Sequence, residues 1–243
     1  MAQKAPRRAA PSPTRHAVRR TKGKTGRTNN AEASRAEILS AATREFSEKG
    51  LSGARVDEIA ERTKINKRMI YYYFESKEGL YRAVLERCYG HIRMSESAMD
   101  LDALSPEEAL RQLVRHTFDY HNTHPDFVRL VMNENIHQGA YIADIASIKT
   151  RNRHVVATLR GLIDRGIAAG VFRADLEPIE LHMSISALCF YNVSNRYTFS
   201  RIFERDMSSR EAVKRRREVV VDMIVRWCAN SATPKGQRSA SSR

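Results

Sequence analysis

Five side chains at the start of one short stretch carry the most specific chemistry in this chain: Lys67, Arg68, Met69, Tyr71 and Tyr72, directly after Asn66. Lysine and arginine donate to guanine O6 and N7 in the DNA major groove, and tyrosine hydroxyls hold phosphates. Asn66 suits the cap of a helix here, because its side-chain oxygen accepts from the unpaired N–H groups of a first turn. Ile70, Tyr73 and Phe74 fall on the opposite side of that helix and are expected to pack inward. Upstream, Val56, Ile59 and Ala60 stand at i, i+3 and i+4, so they share one face of a preceding helix over Val56–Thr63, with a turn at Lys64 and Ile65. A helix, a tight turn and a second helix tipped with cations is the arrangement of a helix-turn-helix reader of DNA. The competing reading is a helical hairpin whose charges are only solvated.

Charge supports the first reading locally rather than globally. The chain of 243 residues carries a net charge of +14, but residues 1–30 hold nine Lys or Arg and no acid, and residues 231–243 hold three and no acid. The remaining body has 42 − 12 = 30 bases against 28 acids. Residues 62–74 carry four bases and no acid, and that local gradient is the informative one.

The elements that must position these residues read as helices throughout, so the fold class is all-α. A first helix is expected over residues 32–49, with Ile38, Ala42 and Phe46 in register and Gly50 as a left-handed stop. A fourth helix opens at Ser76 and runs through Leu80, Val84 and Cys88 to the low nineties. Ser105-Pro-Glu-Glu108 combines a serine cap, proline at the first helical position and glutamate at the third. His124-Pro-Asp126 starts a helix that Gly139 can end, and a long pattern over residues 141–169 is stopped by Gly170. Pro178 opens a helix through Leu181, Ile185 and Leu188 to Tyr197, and Ser208-Ser-Arg-Glu211 reads as a capping box for a last helix through Val213 to Trp227. Residues 1–31 form a basic arm and residues 231–243 a tail, both expected to be disordered. The arm either adds minor-groove or phosphate contacts or is a solubilising extension.

Ile38-Leu-Ser-Ala-Ala42, Phe46, Gly50, Val56-Asp-Glu-Ile-Ala60, Tyr71-Tyr-Tyr-Phe74 and Ser76-Lys-Glu78 stand together in one register. On these residues the chain, from residue 34 to about residue 85, resembles the DNA-binding domain of the tetracycline-repressor (TetR/AcrR) family of bacterial regulators. The resemblance implies a helix-turn-helix DNA-binding domain over residues 32–80 and a helical effector-binding and dimerisation domain over residues 81–230, joined by the fourth helix. It places Lys67, Arg68, Met69, Tyr71 and Tyr72 on the DNA-facing side, Arg55 and Val56 at the start of the preceding helix, and Lys77 at a backbone phosphate. Two departures stand out: Lys64 and Arg68 occupy positions where the family usually has glycine or a small residue, and Ala54 and Arg55 replace a Thr or Ser pair. The helix that starts after Arg55 therefore lacks an obvious hydroxyl cap.

Residues 86–230 are expected to pair subunits and to sense a small molecule. Met183, Ser186, Ala187 and Phe190 form one stripe on the Pro178 helix, and Val220, Ile224 and Trp227 one on the last helix. Together they are expected to build an isologous four-helix homodimer interface, as in the family the chain resembles, or else to complete the monomer core. A homodimer would set two reading heads on a palindromic DNA operator. Polar and aromatic interruptions of apolar helices, namely His116, Tyr120, Asn133, Glu134, His137, Tyr191 and Asn192, are the candidates to line an effector pocket. The run from His124 to His137 resembles the ligand domain of regulators of pyrimidine or nicotinate catabolism, which implies a small aromatic or acidic metabolite.

Other classes find no support. No H-E-x-x-H, G-x-S-x-G or glycine-rich fingerprint after a strand is present, so no enzyme or cofactor is expected. Gly23-Lys-Thr25 fails as a phosphate loop because Val18 stands where its first glycine should be. His116, His121 and His124 do not share a helical face, and Cys88, Cys189 and Cys228 are far apart, so neither a metal site nor a disulfide framework is indicated. With no long apolar segment and no signal peptide, the expected setting is the cytoplasm, away from membrane. A regulator that binds DNA without a metabolite, or an activator, is the alternative that sequence leaves open.

Overall fold

Residues 25–230 are described in the computed structural model, with side chains from residue 30, and they form ten helices and no strand. The expectations for residues 1–24 and 231–243 lie outside the described residues. In chain order the helices are α1 (Thr25–Gly53), α2 (Val56–Thr63), α3 (Lys67–Phe74), α4 (Lys77–Ser97), α5 (Pro106–Thr123), α6 (Pro125–Ile136), α7 (Ala146–Ala168), α8 (Pro178–Ser194), α9 (Arg196–Ile202) and α10 (Arg210–Cys228).

Local chemistry sets most boundaries. Asn66 Oδ1 accepts from the Arg68 N–H at 2.8 Å, Ser76 Oγ from Gly79 at 2.9 Å and Ser105 Oγ from Glu108 at 3.4 Å, each satisfying an orphan amide of a first turn. Gly50 breaks α1 with a positive φ of 67°, but its ψ of 176° is extended rather than the left-handed helical stop expected, and one further turn carries α1 to Gly53. Other boundaries also differ from expectation, and α4 runs on to Ser97 rather than ending in the low nineties. The first helix begins at Thr25, inside the stretch expected as a disordered arm. The helix expected from residue 141 begins at Ala146, because the left-handed pair Gln138 and Gly139 turns the chain and the Glu134 carboxylate takes up the Tyr141 and Ile142 amides at 2.8 and 2.9 Å. The Pro178 helix ends at Ser194, and α9 follows as a separate turn. The last helix is capped by Ser209, whose Oγ accepts from Ala212, rather than by Ser208.

Three apolar clusters hold the helices. The first joins α1 to α4 around Phe46, Ile59, Ile70, Leu80 and Tyr81, and it also takes in Leu130 of α6 with Ile145 and Ile148 at the start of α7. Phe46 and Tyr81 meet edge to face at 5.1 Å, and each is fully buried. Burying an aromatic of this size contributes about 1.5–3 kcal/mol. The second cluster packs α5, α7, α8 and α10 around Leu110, Phe118, Leu159, Ile185 and Ile224. A third, with Ile92, Tyr120, Phe127 and Val193, fills the space between them. Helix α4 contributes to the first and third clusters and runs unbroken through residues 80 and 81, where the sequence reading divides the chain.

Candidate functional site

The helix-turn-helix is built by three local devices. Lys64 takes a left-handed conformation (φ 54°) to make the turn, at the cost of roughly 1 kcal/mol that a glycine would avoid. Thr63 Oγ1 donates to the Ile59 carbonyl and accepts from the Ile65 N–H, so the turn is tied to the end of α2. Asn66 then caps α3. Ile70 and Phe74 bury on the inner face and Tyr73 is half-buried, which leaves Lys67, Arg68, Met69, Tyr71 and Tyr72 exposed on the outer face. Tyr72 is 76% exposed, unusual for an aromatic without a partner to receive it.

The cations on this face are not equivalent. Lys67 Nζ lies 2.8 Å from Asp57 Oδ1, so each charge is partly matched within the protein, and the pair lowers the Asp57 pKa and raises that of Lys67. Arg68 is exposed and has no ion pair among the described residues. Lys77 Nζ donates to the Ser52 carbonyl at 3.3 Å, tying α4 to the end of α1. Arg55 is exposed as the non-helical residue before α2, but Val56 is only 5% exposed and belongs to the apolar cluster. Val56 is therefore a core residue and its side chain offers nothing to a duplex.

The missing hydroxyl cap at Arg55 is replaced by Glu45, which sequence reading did not single out. Its side chain has no exposed surface, and it accepts from the Arg55 N–H at 3.2 Å while pairing with Lys49 at 3.0 Å and Arg62 at 3.2 Å. Burial pushes the Glu45 carboxyl up, but the Lys49 hydrogen bond, the Arg55 amide and the two cations outweigh it and hold the pKa below the usual value. The sequence signal was a glutamate beside Phe46 on the inward face of α1, with bases four and seventeen residues on.

The seven candidates for effector contact are not brought together. Asn133 Nδ2 reaches the Phe46 carbonyl at 3.4 Å and packs against Gly50, so it docks α6 on α1. Glu134 holds the turn after α6, and His137 Nδ1 meets the Asn133 carbonyl at 2.8 Å. His116 Nε2 lies 3.0 Å from Ser95 Oγ, and Tyr120 Oη 2.8 Å from His91 Nδ1. Asn192 is buried and donates to Asn122 Oδ1, while Tyr191 is exposed; both line a shallow cavity with Arg205, Arg215 and Arg216. These polar groups tie elements together rather than converge on one space.

A different set does converge. Between α4, α5, α6, α7 and α8 lies a cavity of about 200 Å³. Its walls include Ile92, Phe127, Leu159 and Phe190, and its polar lining includes Arg93, Glu96, Thr117, His121, Asn152 and His182. Arg93 Nη1 and Glu96 Oε2 are 2.6 Å apart, with side chains only 11% and 12% exposed. Burial, then the nearby Arg93 charge, pushes the His121 pKa down to about 4, against a smaller opposing pull from the Thr117 backbone. The same two causes lower the His182 pKa, whereas burial raises that of Glu96 against the pull of Arg93. A histidine at the i+4 position from Thr117, on the apolar face of α5, was the available signal for this cavity.

The expected dimer stripe also divides. Val220 and Ile224 are 0% and 2% exposed inside the second apolar cluster, so they complete the monomer core. Ser186 and Phe190 line the inner cavity instead of facing outward. Met183, Ala187 and Trp227 are exposed, and Ile179, Val219 and Met223 join them, giving two outward stripes at i, i+4 spacing on α8 and α10.

Comparison with known proteins agrees with this architecture. Residues 38–84 match the tetR family of bacterial regulatory proteins, and residues 106–224 the tetracyclin repressor-like C-terminal domain. The HTH-type transcriptional repressor NicS of Pseudomonas putida is 39% identical over 190 residues, covering 78% of this chain and 90% of that protein. The HTH-type transcriptional regulator RutR of Escherichia coli is 31% identical over 164 residues, covering 66% and 72%. The ketosteroid transcriptional regulator KstR2 of Mycobacterium tuberculosis shares the fold, with a TM-score of 0.61 at 21% identity over 81% of this chain and 95% of that one. The described residues contain no helix long and apolar enough to cross a membrane. The exposed cationic reading helix, the two matched domains and relatives covered over most of their length lead to one conclusion: the chain belongs to the TetR family of bacterial helix-turn-helix transcriptional regulators.

Proposed function

We propose that this regulator is a cytoplasmic homodimeric repressor that binds a palindromic DNA operator through α3 and leaves it when a small molecule occupies the inner cavity. The observation that carries the proposal is the outer face of α3, where Arg68 and Tyr72 stand exposed while Ile70 and Phe74 anchor the helix. Arg68 reads base edges, Tyr71 and Tyr72 contact phosphates, and Arg55 and Lys77 add backbone contacts. The repressing sense is supported by the relative that bears that name.

Pairing is supported by Ile179, Met183 and Ala187 on α8 with Val219, Met223 and Trp227 on α10, a continuous set of outward apolar side chains of the kind that marks an interface. A twofold pair sets the reading heads about 34–36 Å apart, one turn of duplex. Release follows from linkage: a ligand that prefers the conformation with misplaced heads lowers operator affinity by its differential binding energy, typically ~1–3 kcal/mol. Selection of bound duplexes from a random pool tests the whole reading, with sedimentation on and off the selected duplex. An inverted repeat bound by two chains is expected; no sequence preference at physiological salt, with the fold intact, refutes it.

A further inference from the structure

The inner cavity and the groove outside it share a wall. Arg93 and Glu96 line both the inner cavity and a wider cleft of about 900 Å³ between the end of α4 and α7. Their ion pair therefore forms part of the boundary between the two spaces, together with Leu113, Val155 and Leu159. Resting on the effector reading above, we propose that the inner cavity takes an uncharged, single-ring ligand that presents a carbonyl-type acceptor to Arg93 and an N–H or O–H donor to Glu96.

Size sets the first limit. The cavity volume of about 200 Å³ lies below the ~300–1,000 Å³ of sites that hold drug-sized molecules. Shape sets the second, since Phe127 meets His121 nearly parallel at 5.8 Å and Phe190 meets the same imidazole edge-on at 6.1 Å. Flat rings pack against such faces and edges with little wasted volume.

Charge sets the third. Arg93 and Glu96 cancel one another at 2.6 Å, and both are largely withdrawn from water. His121 and His182 are the other basic groups in the lining, and burial together with the Arg93 charge favours their neutral forms. The cavity is thus already balanced, and an entering carboxylate or ammonium would bring a buried charge without a counter-ion. A guanidinium offers donors only and a carboxylate acceptors only, so the pair side by side matches an amide-like edge. Of the small aromatic or acidic metabolite that the resemblance implies, the ring is kept and the charge is dropped.

Benzamide and benzoate separate these possibilities, being nearly the same shape and differing in charge. In thermal-shift and calorimetric titrations of the full chain, benzamide is expected to raise the melting temperature and to bind at least about tenfold more tightly than benzoate, a difference of ~1.4 kcal/mol. Glu96→Gln leaves Arg93 uncompensated and is expected to reverse the order. Val131→Phe, which fills the cavity, is expected to abolish the benzamide shift. Benzoate binding the wild-type chain as tightly as benzamide overturns the charge inference and leaves the effector reading standing. No shift with either compound, or a benzamide shift that survives Val131→Phe, removes this cavity from both. The wild-type comparison decides the charge question alone, so a Glu96→Gln chain that fails to fold does not spoil the test.

Discussion

Arg68→Ala is the substitution that best separates reading from folding. Arg68 is exposed on the first turn of α3, and among the described residues its guanidinium has no ion pair or hydrogen bond; its backbone N–H is engaged by Asn66. Exposed side chains without partners change stability by no more than about 0.5 kcal/mol when replaced, so the melting temperature should hardly move. On DNA the same change removes a donor fork able to reach guanine O6 and N7, worth ~1–3 kcal/mol of discrimination at one base pair. That range corresponds to roughly 5- to 150-fold in affinity for the preferred site. The assay is competition between the selected duplex and single-base variants at fixed salt, performed on both chains. The wild-type chain should penalise a change at one position in each half-site, and the variant should lose that penalty while keeping the others. A loss spread evenly over all sequences would assign Arg68 to phosphate, and the base-reading role would fall.

Lys77→Ala should weaken every duplex alike and reduce the slope of log affinity against log salt by about 0.9, the release expected for one phosphate contact; salt titrations on two unrelated duplexes check it. The His121 imidazole, with its pKa lowered to about 4 against an unfolded value near ~6.5, binds a proton more readily once the chain unfolds. Stability associated with it is therefore complete above pH ~6.5 and is lost as pH falls toward 4, a span of roughly 3 kcal/mol, and His121→Gln should flatten that part of a denaturation series. Glu45→Ala takes the carboxylate from Arg62 and Lys49, which are each about a third exposed and remain solvated, and frees the Arg55 amide, so it should destabilise by ~1–3 kcal/mol in chemical denaturation. Met223→Asp, on the outward stripe of α10, should shift sedimentation toward monomer without loss of helical signal; an unchanged dimer would place the interface elsewhere.

The reading helix was legible because its signals are local. Asn66, Ser76 and Ser105 cap with their own side chains, and the inward set Ile59, Ile70 and Phe74 repeats at helical spacing, so type and face follow without knowledge of the rest. The later helices are apolar on two adjacent faces, and periodicity cannot say which face meets the monomer. On α10 the expected Val220 and Ile224 turned inward and their neighbours Val219 and Met223 outward, one residue from expectation, while Trp227 faces outward as expected. Effector candidates failed for a related reason. A polar residue in an apolar helix either lines a space or satisfies another element, and Glu134 and Asn133 do the latter across distances in sequence that no local pattern reveals.

The release proposed above needs coupling between cavity and reader, and shared packing offers a route for it that does not require a hinge between separate units. Phe127 and Val131 of α6 line the inner cavity, while Leu130, between them on the helix, sits fully buried in the apolar cluster that supports α3. Asn133, further along α6, holds the Phe46 carbonyl of α1. On the other side, α4 presents Arg93 and Glu96 to the cavity and Leu80 and Tyr81 to the same supporting cluster. Close-packed interiors transmit small displacements because no free volume absorbs them. A ligand that separates α4 from α6 therefore has two routes to the reading helix, one through each. Truncation along α6 at Leu130 should weaken the effector's influence on operator affinity without touching either ligand, whereas Tyr72→Ala should weaken operator binding while leaving the effector's fractional influence unchanged.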